Sequence, residues 1–412
     1  MYATPIESPT VAVQRRSISV FPQTVVRARL RARLVVSGDV RDGRAMVRSR
    51  SALHLAVEIN GAGAHPAAWR LWGRAPADVV SARAIRDAVA QAEAAGFALV
   101  TFDDRVVPGS ATVVGQLDSG TRAAFVATTT NTIGLGPTVQ ALTTEPFHVA
   151  AALASLDHAS HGRAAWVVGA DNAPDVHAAV GSVPRDPAAA VREVSDVIEV
   201  ARRLWDSWED DAVIRDSANG RFLDPSKVHH TRFEGEFFSV VGPLITPRPP
   251  QGQVVVAADA SLGISGQLDI AFVNRPDVPA IAASAASARD AGAALVFAEV
   301  DVLLDTDEAK ASQRLLELDQ HEGWPNTGRL RFEGSPTDLV ESLTSLADVV
   351  DGVRLHVAVT TTDLDVLTEV VIPALTATGV HSPPTSGATL RETLGLPWTT
   401  SRYADDRRTG DA

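Results

Sequence analysis

Residues 81–104 have the sequence SARAIRDAVAQAEAAGFALVTFDD. The first part, Ser81–Ala95, is rich in alanine and predicts a helix, and Gly96 follows it where a left-handed cap suits a residue without Cβ. Phe97–Phe102 is a short apolar run, which predicts a buried strand. Two carboxylates, Asp103 and Asp104, come directly after this strand. A helix joined to a buried strand in this way is the repeating unit of a parallel sheet.

The same alternation of apolar runs and helical stretches continues along the chain from residue 52. Eight runs predict strands, namely Leu53–Ile59, Phe97–Phe102, Thr132–Val139, Arg163–Val168, Val254–Ala257, Ile270–Val273, Leu295–Leu303 and Gly352–Val357. Eight strand–helix units favour an α/β fold of the (β/α)8 TIM-barrel type over an open doubly wound sheet. No glycine-rich dinucleotide fingerprint follows the first strand, which weakens the open-sheet alternative further.

One long segment, about 209–250, interrupts this pattern after a predicted amphipathic helix over Arg185–Trp208. It contains Phe222, Phe233, Phe237 and Phe238, so we expect an ordered insertion that packs on the barrel rather than a loose linker. In the second half we also expect a short helix after the strand Val254–Ala257 and a longer helix over Thr306–His321.

The charged residues are unevenly distributed along the chain. The net charge is −13, yet residues 1–50 carry ten arginines against Glu7, Asp39 and Asp42. We therefore expect three parts: a disordered basic leader over 1–50, a barrel over 52–397 and a polar tail over 398–412. Because a core strand begins shortly after Met46, one hypothesis is that translation starts at that methionine.

Several classes of protein are disfavoured by composition. The chain has no cysteine, which excludes disulfides, thiolate metal sites and a cysteine nucleophile. It lacks an apolar run of about 18 residues and a signal peptide, so we expect a cytoplasmic protein with no membrane partner. The acidic body disfavours nucleic acid as a partner. No nucleophile elbow, P-loop or zinc-protease motif is present, and the histidines His158, His161, His229 and His230 lack the carboxylates of a metal site.

Candidate site residues follow the predicted strands, because barrel enzymes keep their active sites at the carboxyl ends of the strands. Asp103 and Asp104 end the second strand, and Thr138 ends the third. Ser261 follows the fifth strand, where its hydroxyl and nearby backbone N–H groups could hold a phosphate. A plain N-cap serine is an equally good interpretation of Ser261.

Longer motifs give the chain a family resemblance. The most specific are Leu204-Trp-Asp-Ser-Trp-Glu-Asp-Asp211, Phe222-Leu-Asp-Pro-Ser-Lys-Val-His229, Phe233-Glu-Gly-Glu-Phe-Phe-Ser-Val-Val-Gly-Pro-Leu244 and Pro247-Arg-Pro-Pro-Gln-Gly252. Weaker matches include Ile133-Gly-Leu-Gly-Pro-Thr138 and Thr389-Leu-Arg-Glu-Thr-Leu-Gly-Leu396. Over about 53–397 the chain resembles the bacterial-luciferase-like flavin-dependent monooxygenases, in the branch of nitrilotriacetate and dibenzothiophene-sulfone monooxygenases.

This resemblance implies a two-component monooxygenase. Such an enzyme binds reduced FMN supplied by a separate flavin reductase and uses O2 to oxygenate a small organic substrate; a homodimer is also implied. Matched residue by residue, the cofactor-binding positions are Asp104, Thr138, Ala141 and Ser261. No protein nucleophile and no metal are implied, because the flavin carries the reactive chemistry.

The chain departs from the family pattern at several of these positions. Gln140 and Ala141 stand where the family has hydroxyl residues, and Val167, Pro187 and Val191 stand where it has polar or flavin-contacting residues. Losing hydrogen bonds worth about 1 kcal/mol each would weaken flavin binding. Two alternatives therefore remain open: a flavin-poor or flavin-free paralogue that acts as a binding or assembly subunit, and a deazaflavin-dependent oxidoreductase. Trp69, Trp72 and Phe102 suggest a hydrophobic substrate.

Overall fold

The first half of the chain alternates strands and helices as predicted. The computed structural model describes residues 52–75, 78, 80–107 and 115–404, so the leader, Met46 and the end of the tail lie outside the described residues. The elements are β1 (His54–Glu58), α1 (Ala82–Ala95), β2 (Leu99–Phe102), α2 (Ser119–Ala127), β3 (Gly134–Gln140), α3 (Pro146–Ala159) and β4 (Ala165–Gly169). Helix α1 ends at Gly96 with a φ of 98°, the left-handed cap that the sequence predicted.

After β4 come two helices, α4 (Pro174–Val180) and α5 (Pro187–Trp205), and then the insertion. The insertion contains two hairpins, made of β5 (Val213–Asp216) with β6 (Arg221–Leu223) and β7 (Phe233–Glu234) with β8 (Ser239–Val240). Phe233 is buried and stacks on Phe238 at 5.5 Å between ring centres. The expected packing is wrong for Phe222, whose side chain is 61% exposed on its hairpin.

The second half completes the sheet. Its elements are β9 (Val255–Asp259), β10 (Ile270–Val273), α6 (Val278–Asp290), β11 (Leu295–Leu304), α7 (Ala311–Asp319), β12 (Leu330–Gly334), α8 (Pro336–Leu346), β13 (Gly352–Val357), α9 (Thr360–Val366), α10 (Ile372–Ala377) and α11 (Leu390–Thr393). A π-helical turn, Leu367–Val371, joins α9 to α10.

Three details of this half differ from the sequence predictions. The short helix expected after β9 is two 3-10 turns, because Gly263 with a φ of 71° ends the first of them at once. Helix α7 starts only at Ala311, since the Asp305 carboxylate accepts a hydrogen bond from the Ala311 backbone N–H and closes a turn before it. Strand β12 was not predicted; it pairs with the second half of β11 beside the barrel.

Eight parallel strands close into a ring in the order β1-β2-β3-β4-β9-β10-β11-β13, and β13 pairs back to β1 with Gly352 opposite His54. The closed ring confirms the predicted (β/α)8 barrel. Inside it lies a cluster that includes Leu99, Val167 and Phe297, and Leu390 and Leu394 of α11 close its amino-terminal end. No helix in the described part of the chain has the length and apolarity needed to cross a membrane.

Candidate functional site

The carboxyl ends of the eight strands form the mouth of the barrel, and strand alternation decides which side chains line it. Leu99 belongs to the cluster inside the barrel, whereas Val100 and Phe102 pack in the core between sheet and helices. Because successive side chains point to opposite faces, Thr101 and Asp103 follow Leu99 on the inner face. The same spacing places Glu58, Glu299, Arg354 and His356 on the inner face at the mouth.

One side of the mouth, contributed by β1, β11 and β13, is charged. His356 lies between two carboxylates: Nδ1 is 3.1 Å from Oε1 of Glu58, and Nε2 is 3.1 Å from Oε1 of Glu299. Arg354 donates from Nε to the same Glu299 oxygen at 2.9 Å and lies over the Phe272 ring at 3.8 Å. All of these groups are buried or nearly buried. A buried charge needs a partner of opposite charge, and each of the two carboxylates has a cationic one.

The charged side continues through Asp301. Its carboxylate accepts hydrogen bonds from Arg329 at 3.0 Å and from the Thr327 hydroxyl at 2.8 Å. Both partners belong to the loop that precedes β12, so this loop is tied to the mouth by a buried acid. We call the following residues the charged half of the mouth: Glu58, Glu299, Asp301, Arg329, Arg354 and His356.

Ionisation in the charged half follows from these contacts. Burial alone would raise the pKa of Glu58, but the charge and hydrogen bond of His356 and the charge of Arg354 lower this pKa to about 2. Arg354 and His356 likewise hold the pKa of Glu299 well below its usual range against burial. Burial acts to lower the pKa of His356, yet the attraction of Glu58 and Glu299 raises it overall. The two glutamates are thus ionised, and their negative charges favour the protonated form of His356.

The opposite side of the mouth is lined by small, uncharged groups. Thr138 of β3 lies in register with Val167 of β4, which in turn is in register with Ala257 of β9. Gly136 lies opposite Thr101 across β2 and β3. Thr101, Gly136, Thr138, Val167 and Ala257 are named the neutral half of the mouth.

Asp104 and Thr138, two of the predicted site residues, are brought together by Ser119 at the start of α2. The Ser119 backbone N–H donates to Oδ2 of Asp104 at 3.0 Å, and its hydroxyl donates to the Thr138 carbonyl oxygen at 2.5 Å. One serine therefore joins the ends of two neighbouring strands. Asp104 anchors α2 at the rim of the mouth.

Ala141, the third predicted residue, lies at the same rim and is buried. Its backbone N–H donates to the Gly169 carbonyl at 2.8 Å, so it joins β3 to β4. Beside it, Gln140 donates from Nε2 to the Asp104 carbonyl at 3.2 Å and accepts at Oε1 from the Asp171 backbone N–H at 3.1 Å. Gln140 thus fastens three strand ends together, a role that the sequence did not reveal.

Ser261, the fourth predicted residue, lies apart from the Asp104 group, after β9. It is exposed within the first 3-10 turn, and the N-cap of that turn is Asp259, whose carboxylate accepts from the Ser261 backbone N–H at 2.7 Å. The N-cap interpretation of Ser261 is therefore wrong. Ser261 lines a cleft of about 200 Å³ whose other polar groups include Ser265, Asn274, Arg275, Ser284 and Ser287.

Three of the residues that depart from the family pattern, Val167, Pro187 and Val191, have no polar side chain. Val167 is buried in the neutral half, Pro187 is exposed in the first turn of α5, and Val191 packs on the core. The aromatic residues expected to favour a hydrophobic substrate also lie away from the inner lining. Phe102 packs outside the barrel under Arg122, and Trp69 and Trp72 belong to a separate cluster with Leu318.

Within the described residues no group of three or more histidine, aspartate and glutamate side chains has the arrangement of a metal site. His158 is hydrogen-bonded to the Pro247 carbonyl at 3.2 Å. His229 pairs with Glu209 at 2.8 Å and stacks on Tyr403 at 4.0 Å. These histidines attach the insertion and the end of the described chain to the barrel.

Sequence reasoning missed the whole charged half. The available signal was period-two charge inside apolar strands, as in Ala298-Glu-Val-Asp-Val302 and Val353-Arg-Leu-His-Val357. Charges at alternate positions of a strand in a closed barrel all point to one face, and buried charges need partners on the neighbouring strands. This pattern therefore predicts an ionic lining.

Comparison with curated proteins finds several monooxygenases. The chain is 33% identical over 223 residues to N-acetyl-S-(2-succino)cysteine monooxygenase of Bacillus subtilis, which covers 53% of this chain and 50% of that protein. It is 32% identical over 214 residues to dibenzothiophene-sulfone monooxygenase of Rhodococcus erythropolis, covering 48% and 47%. The chain thus spans about half the length of the curated relatives that it matches.

Among solved structures, a riboflavin lyase determined with modified FMN and riboflavin has the same fold. The TM-score is 0.75 at 22% identity, and the match covers 84% of this chain and 97% of that one.

The luciferase-like monooxygenase family model matches residues 64–333, which is more than half of the chain. Relatives named for nitrilotriacetate and dibenzothiophene sulfone confirm the branch that the motifs indicated. By this match, and with the barrel that the family's solved members share, the chain belongs to the luciferase-like monooxygenase family.

Proposed function

We propose that this chain is the oxygenating component of a two-component flavin monooxygenase. It binds reduced FMN delivered by a separate flavin reductase and, with O2, oxygenates a small organic substrate. The observation that carries the proposal is the cleft at Ser261, whose serine hydroxyls and Arg275 guanidinium suit an anion, together with the absence of charged side chains in the neutral half of the mouth. Membership of the family supports the same assignment.

The donor set of the Ser261 cleft fits the phosphate end of FMN. Four serine hydroxyls and the Arg275 guanidinium are donors suited to an anion. The cleft of about 200 Å³ is smaller than the roughly 300–1,000 Å³ of sites that enclose a whole drug-sized ligand. It therefore suits the phosphate, while the ring system would extend to the mouth. The Asp259 carboxylate opposes a phosphate here, so the binding depends on Arg275.

Four residues would hold the cofactor. Ser261 would contact the phosphate, and Asp104, Thr138 and Ala141 would form the rim beside the ring. When bound, reduced FMN supplies the electrons for activating O2. The protein's part is to orient the ring, exclude water and hold the substrate beside it.

Binding of the cofactor tests this proposal directly. Reduced FMN is titrated into the protein under anaerobic conditions, and its fluorescence and absorbance are followed. A one-to-one complex is the expected result. No binding at high micromolar reduced FMN would contradict the proposal.

Arg275 provides a sharper test of the phosphate cleft. Arg275→Ala should weaken reduced FMN by about 10- to 100-fold, because a hydrogen bond to a charged group contributes about 1.5–3 kcal/mol. Riboflavin has no phosphate, so its affinity should not change. Arg221→Ala, on the exposed hairpin of the insertion, is the matched control and should leave both ligands unaffected.

A flavin-free barrel that serves as a binding or assembly subunit is the second candidate. It is favoured by Val167, Pro187 and Val191, which offer no side-chain hydrogen bond to a flavin. In that case the chain would bind no flavin but would co-purify with an intact paralogue. A deazaflavin is the remaining cofactor to test, by competition against reduced FMN for the same site.

The partners are part of the proposal. Reduced FMN generated by a flavin reductase should support substrate-dependent O2 consumption only when both proteins are present. We also propose that the chain forms a homodimer, which sedimentation velocity would measure; a monomer at micromolar concentration would contradict this.

A further inference from the structure

Asp103 occupies a distinct place at the junction of the two halves of the mouth. It follows Thr101 on the inner face of β2, beside Glu58 of β1, which is in register with Thr101. Its backbone is fixed, because its carbonyl accepts from Gln116 Nε2 at 2.7 Å and from Arg122. Its side chain remains 26% exposed and pairs with Arg105 at 3.1 Å.

A second feature marks the same spot as a place for a ligand. Thr101 is fully buried, and its hydroxyl oxygen has no hydrogen-bond partner among the residues that the structure describes. A buried hydroxyl without a partner costs free energy, and native proteins pair nearly all such groups. Thr101 is in register with Glu58 on one side and Gly136 on the other, two residues before Asp103 on the same strand.

The charges that act on Asp103 come from four elements. Glu58 lies on the neighbouring strand β1, Arg354 on β13 and Arg105 on the loop of Asp103 itself. Arg122 of α2 also acts on Asp103 by its charge and donates a hydrogen bond to its carbonyl. Arg354 is already paired with Glu299, and Arg105 is 57% exposed to solvent.

Building on the proposed function of this mouth, we propose that Asp103 is its proton-exchanging carboxyl. Asp103 takes up a proton from solvent when an anionic ligand enters and returns it when the ligand leaves. Asp104, the neighbouring carboxylate, has the separate role of anchoring α2.

The ionisation of Asp103 and of Glu58 supports this role for Asp103. Burial and the negative charge of Glu58 raise the pKa of Asp103, with Arg105 and Arg354 opposing. The pKa of Glu58 is about 2, owing mainly to His356. Two neighbouring carboxylates whose pKa values are pushed apart are the usual signature of an acid–base site.

The test is a direct titration of Asp103 by 13C NMR on protein labelled at the aspartate carboxyl carbons. Asp103→Asn assigns the resonance. The pKa of Asp103 should lie above the ordinary value of about 3.9. Glu58→Gln should lower it, and Arg105→Gln, at an exposed position that does not threaten folding, should raise it further. A pKa at or below the ordinary value, or one that neither variant moves, would overturn the proposal.

Binding gives a second, independent measurement. The affinity for reduced FMN should fall as pH rises through the pKa of Asp103, because an anion then meets a second negative charge. Asp103→Asn should remove this part of the pH dependence, whereas Asp104→Asn should keep it; the reverse result would overturn the inference. The flavin's own titration is common to all variants and cancels. If no flavin binds, the proposed function fails, while the NMR titration still decides the state of Asp103.

Discussion

The charged half and the neutral half of the mouth belong to one ring of strands, but they differ in how their polar groups are paired. In the charged half, three acids meet two arginines and a histidine, and nearly every polar atom is used within the protein. In the neutral half, Thr101 keeps an unused hydroxyl and Gly136 contributes no side chain at all. The first half fixes the barrel, and the second leaves one buried hydroxyl without a partner among the described residues. The difference shows that the ionic contacts which tie the strand ends together are confined to one arc of the mouth.

The largest effect is expected from breaking the charged half. Arg354→Met should destabilise the protein by about 3–5 kcal/mol, because Glu299 and Glu58 lose a buried partner. Urea unfolding followed by far-UV circular dichroism measures this. Arg192→Ala, which removes an exposed ion pair with Glu236, is the control and should cause no measurable change. Equal effects from the two variants would show that the buried network is not special.

A larger side chain in the neutral half should lower the stability by less than Arg354→Met does, but it should strongly weaken the binding of reduced FMN. A Cβ atom at Gly136 would lie 3.3 Å from Cγ2 of Thr101. Gly136→Val should therefore destabilise by about 1–3 kcal/mol through overpacking and weaken reduced FMN by about tenfold or more. Gly323→Ala adds its Cβ in open space and should change neither quantity. Unchanged flavin affinity in Gly136→Val would place the ring elsewhere.

The charged half should also give stability a pH dependence of known sign. Glu58 and Glu299 raise the pKa of His356, so the stabilisation from its charged form is complete below the ordinary pKa of about 6.5 and is lost as pH rises through the raised value. The stability difference between the wild type and His356→Gln should thus shrink from pH 6 to pH 9 in urea unfolding. A growing difference would contradict the assignment.

The smallest effect concerns the unused hydroxyl. Thr101→Val removes a buried oxygen that has no partner, so stability should stay unchanged or rise by up to about 1 kcal/mol. Thr130→Val is the matched control. Its hydroxyl donates to the Val126 carbonyl and accepts from Arg163, and its loss should cost about 1–3 kcal/mol. A similar loss for both variants would mean that Thr101 has a partner.

The barrel was predictable because its strands are apolar runs of the right length, separated by helices with clear ends such as Gly96. Strand β12 was missed because Leu330-Arg-Phe-Glu-Gly334 is short, half-exposed and charged, so it lacks the apolar pattern of a barrel strand. The 3-10 turns after β9 depend on the left-handed conformation of Gly263, which a helical reading of the surrounding residues overlooked.

In the candidate site, the sequence predicted only those residues whose position depends on where a strand ends. Asp104 and Thr138 end neighbouring strands, and they meet through Ser119. The charged half depends on the register of β11 against β13, where Glu299 is opposite Arg354. That register results from closure of the ring. It cannot be predicted from two residues that lie 55 positions apart in the sequence. The cofactor assignments of Asp104, Thr138, Ala141 and Ser261 stay predictions.

The segment that closes the bottom of the barrel has a consequence for biosynthesis. Leu390 and Leu394 fill the amino-terminal opening, the Leu390 backbone N–H donates to the Gly162 carbonyl, and Arg391 pairs with Asp269. Strand β1 likewise pairs with β13, which is synthesised almost 300 residues later. A ribosome adds about 5–20 residues each second, so the nascent chain spends many seconds with its inner apolar lining open to water. The ring of strands therefore cannot close, nor its amino-terminal end be covered, until β13 and the Leu390 segment have been synthesised.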